Sequence, residues 1–197
     1  MLLADAGFDI THELDLAVVV GDPAFAALAH GPRRAVLVGN TRALWPIFLA
    51  ARAADPALAA DPDPIERYTE AAIARAFPGA PVWFSHRRYA GVFLPFQRLA
   101  VAAGLGALSP TQLVIHPIYG PWFALRAVVV LDGDPPPRRP PLPAYHCTGT
   151  CEAKLAVALA STDWRAWVAV REACTVGRAF RYSDDQLAYH YTKAFAH

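Results

Sequence analysis

Two arginines stand in apolar surroundings, where a positive charge needs a partner. Arg126 lies within residues 122–132, which are apolar at nearly every position. We predict a strand buried on both faces, with Arg126 on the face of Val128 and Leu125 on the opposite face. Burying a guanidinium without an anionic or carbonyl partner costs roughly several kcal/mol. Arg126 therefore indicates a bound phosphate, carboxylate or thiolate, a structural ion pair, or an arginine that reaches solvent from the strand end.

Arg171 repeats this pattern on a predicted helix. It follows Trp164 by seven residues and Trp167 by four, so helical spacing puts its cation on an aromatic face. Two interpretations are open at this point. The guanidinium makes a cation–π or simple packing contact at the surface, or it supplies a second cation for a bound anion.

His116 ends a predicted strand at residues 112–116 and has several candidate roles: metal ligand, general acid, hydrogen-bond donor to a ligand, or structural histidine. A second group, His146, Cys147 and Cys151, has the spacing of half a zinc site. No second pair at ligand spacing follows it, so we predict no metal site. The chain also lacks a nucleophile elbow, a P-loop and an HExxH motif, and nothing indicates hydrolase or kinase chemistry.

Length and composition predict one well-packed domain. The chain has 197 residues, of which 55% are hydrophobic and only 18% charged, against roughly 25% in an average soluble protein. The net charge of +1 argues against a nucleic-acid binder that works through a broad basic surface. Two small basic clusters, at residues 86–88 and 138–139, are typical of solvated surface or of a local phosphate contact.

Cysteine usage and apolar runs indicate the expected compartment. Three cysteines form no disulfide framework and suit a reducing environment, and they are too few for one cubane iron–sulfur cluster. The first residues lack the basic region of a signal peptide. The longest charge-free apolar run, residues 43–51, is far shorter than the ~20 residues of a membrane helix. We expect a cytoplasmic protein without membrane or nucleic-acid partners.

The elements that position these residues interleave strands and helices without a Gly-rich βαβ fingerprint, which favours an α+β fold over a Rossmann fold. The predicted strands are residues 16–20, 34–39, 81–84, 112–116 and 122–132. The predicted helices are 41–53 capped by Asn40, 64–77 with a capping box from Asp63 to Glu66, 95–103 ended by Gly104, 152–160, one from 161–163 onward, and one after a capping box at Ser183. Residues 135–143 contain six prolines and predict an extended connector.

Two motifs resemble those of the CblC-type cobalamin-processing family, the cyanocobalamin reductases and alkylcobalamin dealkylases. The first is residues 115–126, which read Ile-His-Pro-Ile-Tyr-Gly-Pro-Trp-Phe-Ala-Leu-Arg, and the second is residues 181–189, which read Arg-Tyr-Ser-Asp-Asp-Gln-Leu-Ala-Tyr. Residues 163–167 resemble the stretch between them. The resemblance covers essentially the whole chain, and its first motif is also similar to the cobalamin domain of epoxyqueuosine reductases.

The resemblance implies a fold and a function. The fold is a variant of the flavin-nitroreductase fold, with a central antiparallel sheet, in a single corrinoid-binding domain over residues 1–197. The family binds cobalamin with its lower base displaced from cobalt. Reduced FMN or FAD then drives loss of cyanide, and a glutathione thiolate removes an alkyl group. A downstream cobalamin-dependent enzyme or a flavin reductase is an implied partner.

The resemblance also implies site residues. Arg126, directly, and Arg171, after a shift of one residue, fall on arginines that hold the glutathione carboxylates in the family, whereas residues 191–197 offer no third arginine. Val101 stands where the family has a histidine. The expected corrin-pocket residues are Gln97, His116, Tyr119, Gly120 and Trp122. Two other functions stay open: a corrinoid carrier without turnover, and a nitroreductase-like flavoprotein without corrinoid.

Overall fold

A four-stranded antiparallel sheet forms the centre of the computed structural model, which describes residues 2–28, 31, 33–145, 150–193 and 195. In spatial order its strands are β1 (Ile10–Asp15), β2 (Arg34–Asn40), β8 (Ala124–Leu131) and β3 (Val82–Phe84). Each neighbouring pair is antiparallel. The long strand β8 is central, which places Arg126 between β2 and the β3 edge.

Two short ribbons and a set of helices accompany this sheet in the described residues. The ribbons pair β4 (Arg88–Tyr89) with β5 (Val92–Phe93), and β6 (Ala107–Leu108) with β7 (Val114–Ile115). The helices are α1 (Leu44–Ala54), α2 (Pro56–Ala59), α3 (Pro64–Ala76), α4 (Phe96–Ala102), α5 (Cys151–Leu159), α6 (Trp164–Glu172) and α7 (Asp184–Thr192). The architecture is therefore α+β, with an antiparallel sheet flanked by helices.

The sheet is buried on both faces, as the apolar run of β8 predicts. On one face, Leu37 and Val128 pack with Leu99 of α4. On the other face, Val129 packs with apolar side chains of α1 and α3. A third, smaller cluster joins Trp122 to α6 and α7. The start of β8 thus lies where the sheet meets these two helices.

The predicted strand at residues 16–20 is wrong. Residues Leu16–Val19 form a 3-10 helix, because the Asp15 carboxylate accepts a hydrogen bond from the backbone N–H of Ala17 at 2.9 Å and begins a turn. The strand lies just before it, at Ile10–Asp15, where buried and exposed residues alternate from Ile10 to Glu13. His12 is buried in this strand, and the polar residues hid the alternation in the sequence.

A bulge in β8 changes the predicted faces of that strand. Val38 of β2 pairs with Ala127, but the next residue, Gly39, pairs with Leu125, so Arg126 is the extra residue. Leu125 consequently packs in the cluster of Val128, and not on the opposite face as simple alternation predicts. Gly39 is required here, since a Cβ at this position would lie 2.6 Å from the carbonyl oxygen of Ala124.

The predicted caps are confirmed in position for two helices and wrong for one. Asn40 does not cap α1, which begins at Leu44 after Ala43. Asp63 and Ser183 hold the predicted N-cap positions of α3 and α7, but their side chains make no capping hydrogen bond. The Glu66 carboxylate instead accepts from the Lys193 ammonium at 2.9 Å, because α7 ends against the start of α3.

The predicted strand at residues 112–116 is reduced to Val114–Ile115. Gln112 has a φ of 62°, in the left-handed region, and its N–H donates to the carbonyl of Ser109 at 2.9 Å. This tight turn interrupts the extended conformation before Val114. Gly104, by contrast, follows α4 with a φ of 72°, as the sequence predicts for a helix end.

The proline-rich residues 135–143 carry no helix or strand and lie against β1. Arg138 Nε donates to Asp15 Oδ2 at 3.1 Å, and Arg139 Nη1 lies 3.4 Å from His12 Nδ1. His12 Nε2 donates to the carbonyl of Ala103 at 2.9 Å, which leaves Nδ1 as the acceptor. The cluster at residues 138–139 therefore attaches the connector to the sheet. In the described residues, no helix is long and apolar enough to span a membrane.

Candidate functional site

A cationic cavity of about 230 Å³ lies at the start of β8, between the sheet, α6 and α7. Both arginines that the sequence singled out line it, so the structure brings Arg126 and Arg171 together. The other lining residues are Phe123, Ala124, Tyr182, Leu187, His190 and Tyr191. The cavity combines two positive charges with aromatic walls, which suits an anion that carries some apolar surface.

Arg126 has hydrogen-bonding capacity that the protein does not use. Its Nε donates to Asn40 Oδ1 at 2.7 Å. Its Nη2 is shielded from solvent and has no hydrogen-bond partner in the described part of the chain. Burial lowers the pKa of Arg126, which stays charged because arginine titrates so far above neutrality. A buried donor without a partner is costly, and a ligand oxygen would satisfy it.

Arg171 reaches the cavity from α6, a helix that begins where Asp163 caps the N–H of Arg165 at 3.0 Å. Arg171 Nη1 donates to the carbonyl of Pro121 at 3.0 Å, which ties the helix to the segment before β8. The cation over the Trp164 ring is Arg165, 4.8 Å from its centroid. Among the described residues, neither Arg126 nor Arg171 forms a salt bridge, although the Glu66 carboxylate attracts Arg126 from beyond ion-pair distance.

Two titratable neighbours in the cavity, His190 and Tyr182, are neutral at physiological pH. Burial, reinforced by the nearby arginines and Lys193, lowers the pKa of His190 to about 3. Burial raises the pKa of Tyr182 to about 12, although Arg171 and Arg126 oppose this shift. The Tyr182 hydroxyl is buried and has no partner within the described chain. The cavity can therefore present the cations of Arg126 and Arg171 and the hydroxyl of Tyr182 to one ligand.

Sequence reasoning missed Asn40, Tyr182 and His190 as parts of this site. Asn40 is the sole asparagine in the chain, but its position before a predicted helix suggested a cap. Tyr182 lies within the second family motif, and that membership was the available signal. His190 stands one residue beyond the motif, and no local pattern marks it, because α7 brings it to the cavity only in the folded chain.

A larger, mainly apolar cavity of about 690 Å³ contains Gln97. Its lining comes chiefly from α4 and the neighbouring ribbons and comprises Ser85, Leu94, Pro95, Phe96, Gln97, Arg98, Val101, Ala102, Leu108 and Gln112. Ser85 connects it to the start of β8, since its N–H donates to the Arg126 carbonyl and its hydroxyl to the Leu125 carbonyl, both at 2.9 Å. Val101, where the resemblance implies a histidine, also lines this cavity.

His116 and Gly120 enclose a tight turn, the 116–120 turn. The two residues exchange backbone hydrogen bonds of 2.9 Å, and His116 Nδ1 accepts from the N–H groups of Ile118 and Tyr119 at 3.1 and 3.3 Å. Its ring stacks on Tyr119 with the centroids 4.5 Å apart. Burial lowers the pKa of His116. Nδ1 is therefore an acceptor within the turn, and only Nε2 remains to donate to a ligand.

Gly120 and Trp122 are packed tightly. Gly120 has a φ of 58°, and a Cβ there would lie 2.0 Å from the carbonyl oxygen of Val176. Trp122 is 1% exposed and makes an edge contact with Tyr182, while its Nε1 has no partner in the described residues. Neither these residues nor His116 and Tyr119 line the cavity of Gln97. The five expected corrin contacts are thus spread over two regions, and their role stays a prediction.

The half zinc site falls largely outside the described residues, because His146 and Cys147 are not among them. Cys151 is buried at the beginning of α5 and is disulfide-bonded, in contrast to the reduced cysteines that the sequence suggests. Cys174 is a free, buried thiol whose Sγ donates to the Tyr145 hydroxyl at 3.6 Å. Within the described ranges, no group of three or more histidine, cysteine, aspartate or glutamate side chains is arranged to hold a metal ion.

Comparison with known proteins gives both sequence and structural relatives. The chain is 36% identical to human cyanocobalamin reductase / alkylcobalamin dealkylase over 102 residues, and 34% identical to its Bos taurus counterpart over the same length. The match covers 51% of this chain and 35% of each relative, so the aligned part is about a third of their length. No family model matches the chain.

The fold has a solved counterpart. The crystal structure of a C. elegans B12-trafficking protein CblC, a homologue of human MMACHC, superposes with a TM-score of 0.66 and 16% identity. The superposition covers 95% of this chain and 86% of that one. The chain is therefore similar in sequence, over half of its length, and in fold, over nearly all of it, to CblC-type cobalamin-processing proteins.

Proposed function

We propose that this protein binds cobalamin and removes its upper ligand, and that the cationic cavity holds an anionic co-substrate for this step. One observation carries the proposal. Arg126 and Arg171 share a cavity without a carboxylate partner in the described residues, and Arg126 Nη2 is buried without a hydrogen-bond partner. Holding two half-buried guanidinium groups in one cavity without an ion-pair partner costs stability, and a bound anion would offset that cost.

The apolar cavity is the proposed corrin site. Its aliphatic walls suit the apolar faces of a corrin ring, and the side-chain amides of Gln97 and Gln112 suit the carboxamides at the ring's edge. Cobalamin is a substrate here, bound with its lower base displaced. Through Ser85 this cavity adjoins the backbone of Arg126, whose side chain lines the other cavity. The two ligands would then meet at the start of β8.

Each arginine would bind a carboxylate of glutathione, since a guanidinium matches a carboxylate in charge and geometry. Held in this way, the thiolate attacks the cobalt-bound alkyl carbon. The sulfur–carbon bond forms, and the cobalt–carbon bond breaks with its electron pair moving to cobalt. Decyanation requires electrons instead, which a reduced FMN or FAD supplies. A flavin reductase is a suitable electron source, and a downstream cobalamin-dependent enzyme a suitable recipient.

Two further expectations belong to the same proposal. The antiparallel sheet flanked by helices is consistent with a variant of the flavin-nitroreductase fold, in one corrinoid-binding domain over residues 1–197. A cytoplasmic location is expected from the low cysteine count, although the disulfide of Cys151 does not match the reducing conditions that this count suggests. The fold suits a protein that works with reduced flavin.

A carrier without turnover is the second candidate, and the C-terminal region favours it. The resemblance implies three arginines for glutathione, but residues 191–197 contain none. The cation of that region, Lys193, lies 2.9 Å from Glu66 Oε1 and 3.6 Å from Asp63 Oδ1, so its charge is already compensated. Two cations bind glutathione less tightly than three, which lowers thiol-dependent turnover more than corrinoid binding.

The decisive experiment is an anaerobic absorbance titration with cyanocobalamin, followed by reduced FMN. A blue shift on mixing indicates binding with the lower base displaced, and conversion to the cob(II)alamin spectrum faster than without protein supports the enzyme. A shift without conversion supports the carrier. The absence of any shift with folded protein contradicts both and favours a flavoprotein without corrinoid, which a bound-flavin spectrum after purification would support.

A further inference from the structure

The partner of Arg126 is an amide where a carboxylate is the usual choice. Asn40 is fully buried at the end of β2, and its Oδ1 accepts from Arg126 Nε at 2.7 Å. The hydrogen-bond geometry that aspartate would supply is present, but the negative charge is not. A buried arginine is ordinarily paired with an anion because an uncompensated charge is costly in the interior.

The orientation of the Asn40 amide is fixed by its other end. Asn40 Nδ2 donates to the carbonyl of Thr41 at 2.8 Å, so the oxygen must face Arg126. Thr41 is itself anchored, because its N–H and hydroxyl donate to the two carboxylate oxygens of Asp9 at 2.7 and 2.5 Å. The nearby carboxylate of Asp9 is therefore engaged by Thr41, and Arg126 receives only a neutral acceptor.

The bulge in β8 gives Asn40 access to this arginine. Arg126 is the extra residue between the pairs Val38–Ala127 and Gly39–Leu125, and Asn40 pairs with Ala124 immediately beyond. With Nε bonded to Asn40, the guanidinium lines the cavity, and its Nη2 has no hydrogen-bond partner among the described residues. Because His190 and Tyr182 are neutral there, the charge of the cavity depends on what pairs with the two arginines.

We propose that Asn40 is a positioning and specificity-determining residue. As a neutral hydrogen-bond acceptor it orients Arg126 toward the cavity without neutralising it. The full positive charge of Arg126 therefore stays available for a carboxylate-bearing ligand. This inference rests on the proposed function, since it concerns the anion of the same cavity. Asparagine at this position selects ligands with two carboxylates over neutral thiols. An aspartate at position 40 would form an ion pair with Arg126 and leave the charge of Arg171 as the one effective positive charge of the cavity.

The test replaces Asn40 by aspartate, which is almost isosteric. Glutathione binding is measured by calorimetry on the whole chain, and we expect Asn40→Asp to weaken it by about tenfold or more. The dependence of the dissociation constant on salt should also become shallower, because one cavity charge is compensated. A merely structural defect would weaken glutathione binding without changing this salt dependence.

A second variant covers the possibility that Asn40→Asp does not fold, since the aspartate loses the donor to the Thr41 carbonyl. Melting curves report folding. Asn40→Ala removes the acceptor without adding charge, so we expect weaker glutathione binding, by about threefold or more, with the salt dependence of the wild type. Wild-type affinity in either folded variant would overturn the inference.

Arg126→Ala separates this inference from the proposed function. If Arg126→Ala loses glutathione affinity while Asn40→Asp and Asn40→Ala retain it, Asn40 has no role in specificity and the anion site stands. If Arg126→Ala also binds glutathione like the wild type, the proposed anion site fails, and the inference fails with it. Loss in all three, with the altered salt dependence confined to the two charge-changing variants, supports both.

Discussion

The cationic cavity and the 116–120 turn are neighbours along the chain, yet they use their polar groups in opposite ways. In the turn, His116 Nδ1 accepts hydrogen bonds from two backbone N–H groups, and the backbones of His116 and Gly120 are hydrogen-bonded to each other in both directions. In the cavity, Arg126 Nη2 and the Tyr182 hydroxyl have no partner among the described residues. Polar groups whose hydrogen bonds are all made within the protein indicate a structural role, whereas hydrogen-bond donors without a partner in a cavity indicate a ligand site.

This difference indicates that the two ends of the family motif at residues 115–126 have different roles. Its first half, around His116 and Gly120, forms a tight turn that crosses residues 176–177 at backbone contact distance. Its last residue, Arg126, supplies the unused charge. A motif can therefore be maintained by folding at one end and by ligand binding at the other, and the two ends should respond differently to substitution.

The largest effect on stability is expected where the 116–120 turn packs against the backbone of residues 176–177. Gly120→Ala puts a Cβ 2.0 Å from the Val176 carbonyl oxygen in a left-handed conformation, so the free energy of unfolding should fall by about 3 to 4 kcal/mol. The matched control is Gly79→Ala, which has a φ of 76° but no atom within 4 Å, and should cost only about 1 kcal/mol. Urea unfolding measures both, and equal losses would contradict the close crossing.

The cavity should respond in ligand affinity. Arg126→Ala removes one of its two arginine charges, and we expect glutathione affinity to fall by about a hundredfold, or roughly 2.7 kcal/mol. Arg165→Ala is the control on α6, because that arginine lies over Trp164 and outside the cavity lining. Calorimetry at low salt measures both variants. A similar loss in the two would mean that general charge, and not the cavity, attracts glutathione.

Much of this contrast could be predicted from the sequence, because a buried strand consists mainly of apolar residues and a charged residue within it is conspicuous. The apolar run at residues 122–132 predicted a strand buried on both sides and marked Arg126 as unusual. Helical spacing put Arg171 on the right helix. The bulge could not be predicted, since it depends on the register between β2 and β8, which no local pattern specifies. Asn40 was misassigned for the same reason, because its partner is 86 residues away.

The cavity should also set a pH dependence. The pKa of His190 is lowered to about 3 in the folded state, against 6.5 for an ordinary histidine, so the unfolded chain binds the proton more readily between these values. This contribution to stability is present above pH 6.5 and is lost as the pH falls toward 3. His190→Gln should reduce the loss of unfolding free energy between pH 7 and pH 5 by up to about 2 kcal/mol.

Urea unfolding of the wild type and of His190→Gln at the two pH values measures this difference. The other two histidines whose pKa is lowered, His12 and His116, contribute equally to both proteins and cancel in the comparison. Bound glutathione should shrink the effect, because its carboxylates offset the arginines that help to lower the pKa of His190. Parallel pH profiles for the two proteins would show that His190 is not held neutral by the cavity.

The smallest effect tests whether His116 belongs wholly to the turn. His116→Leu removes the acceptor for two backbone N–H groups and should lower the unfolding free energy by about 1 kcal/mol. His116→Asn should retain most of that stability, because its Oδ1 can accept the backbone N–H two residues on in the same way as Nδ1. Asparagine cannot replace Nε2. If His116→Asn is stable yet binds cyanocobalamin about tenfold more weakly, Nε2 contacts the corrin, and the turn serves the ligand as well as the fold. If it binds with wild-type affinity, the role of His116 ends at the turn, and corrin recognition rests on the cavity of Gln97.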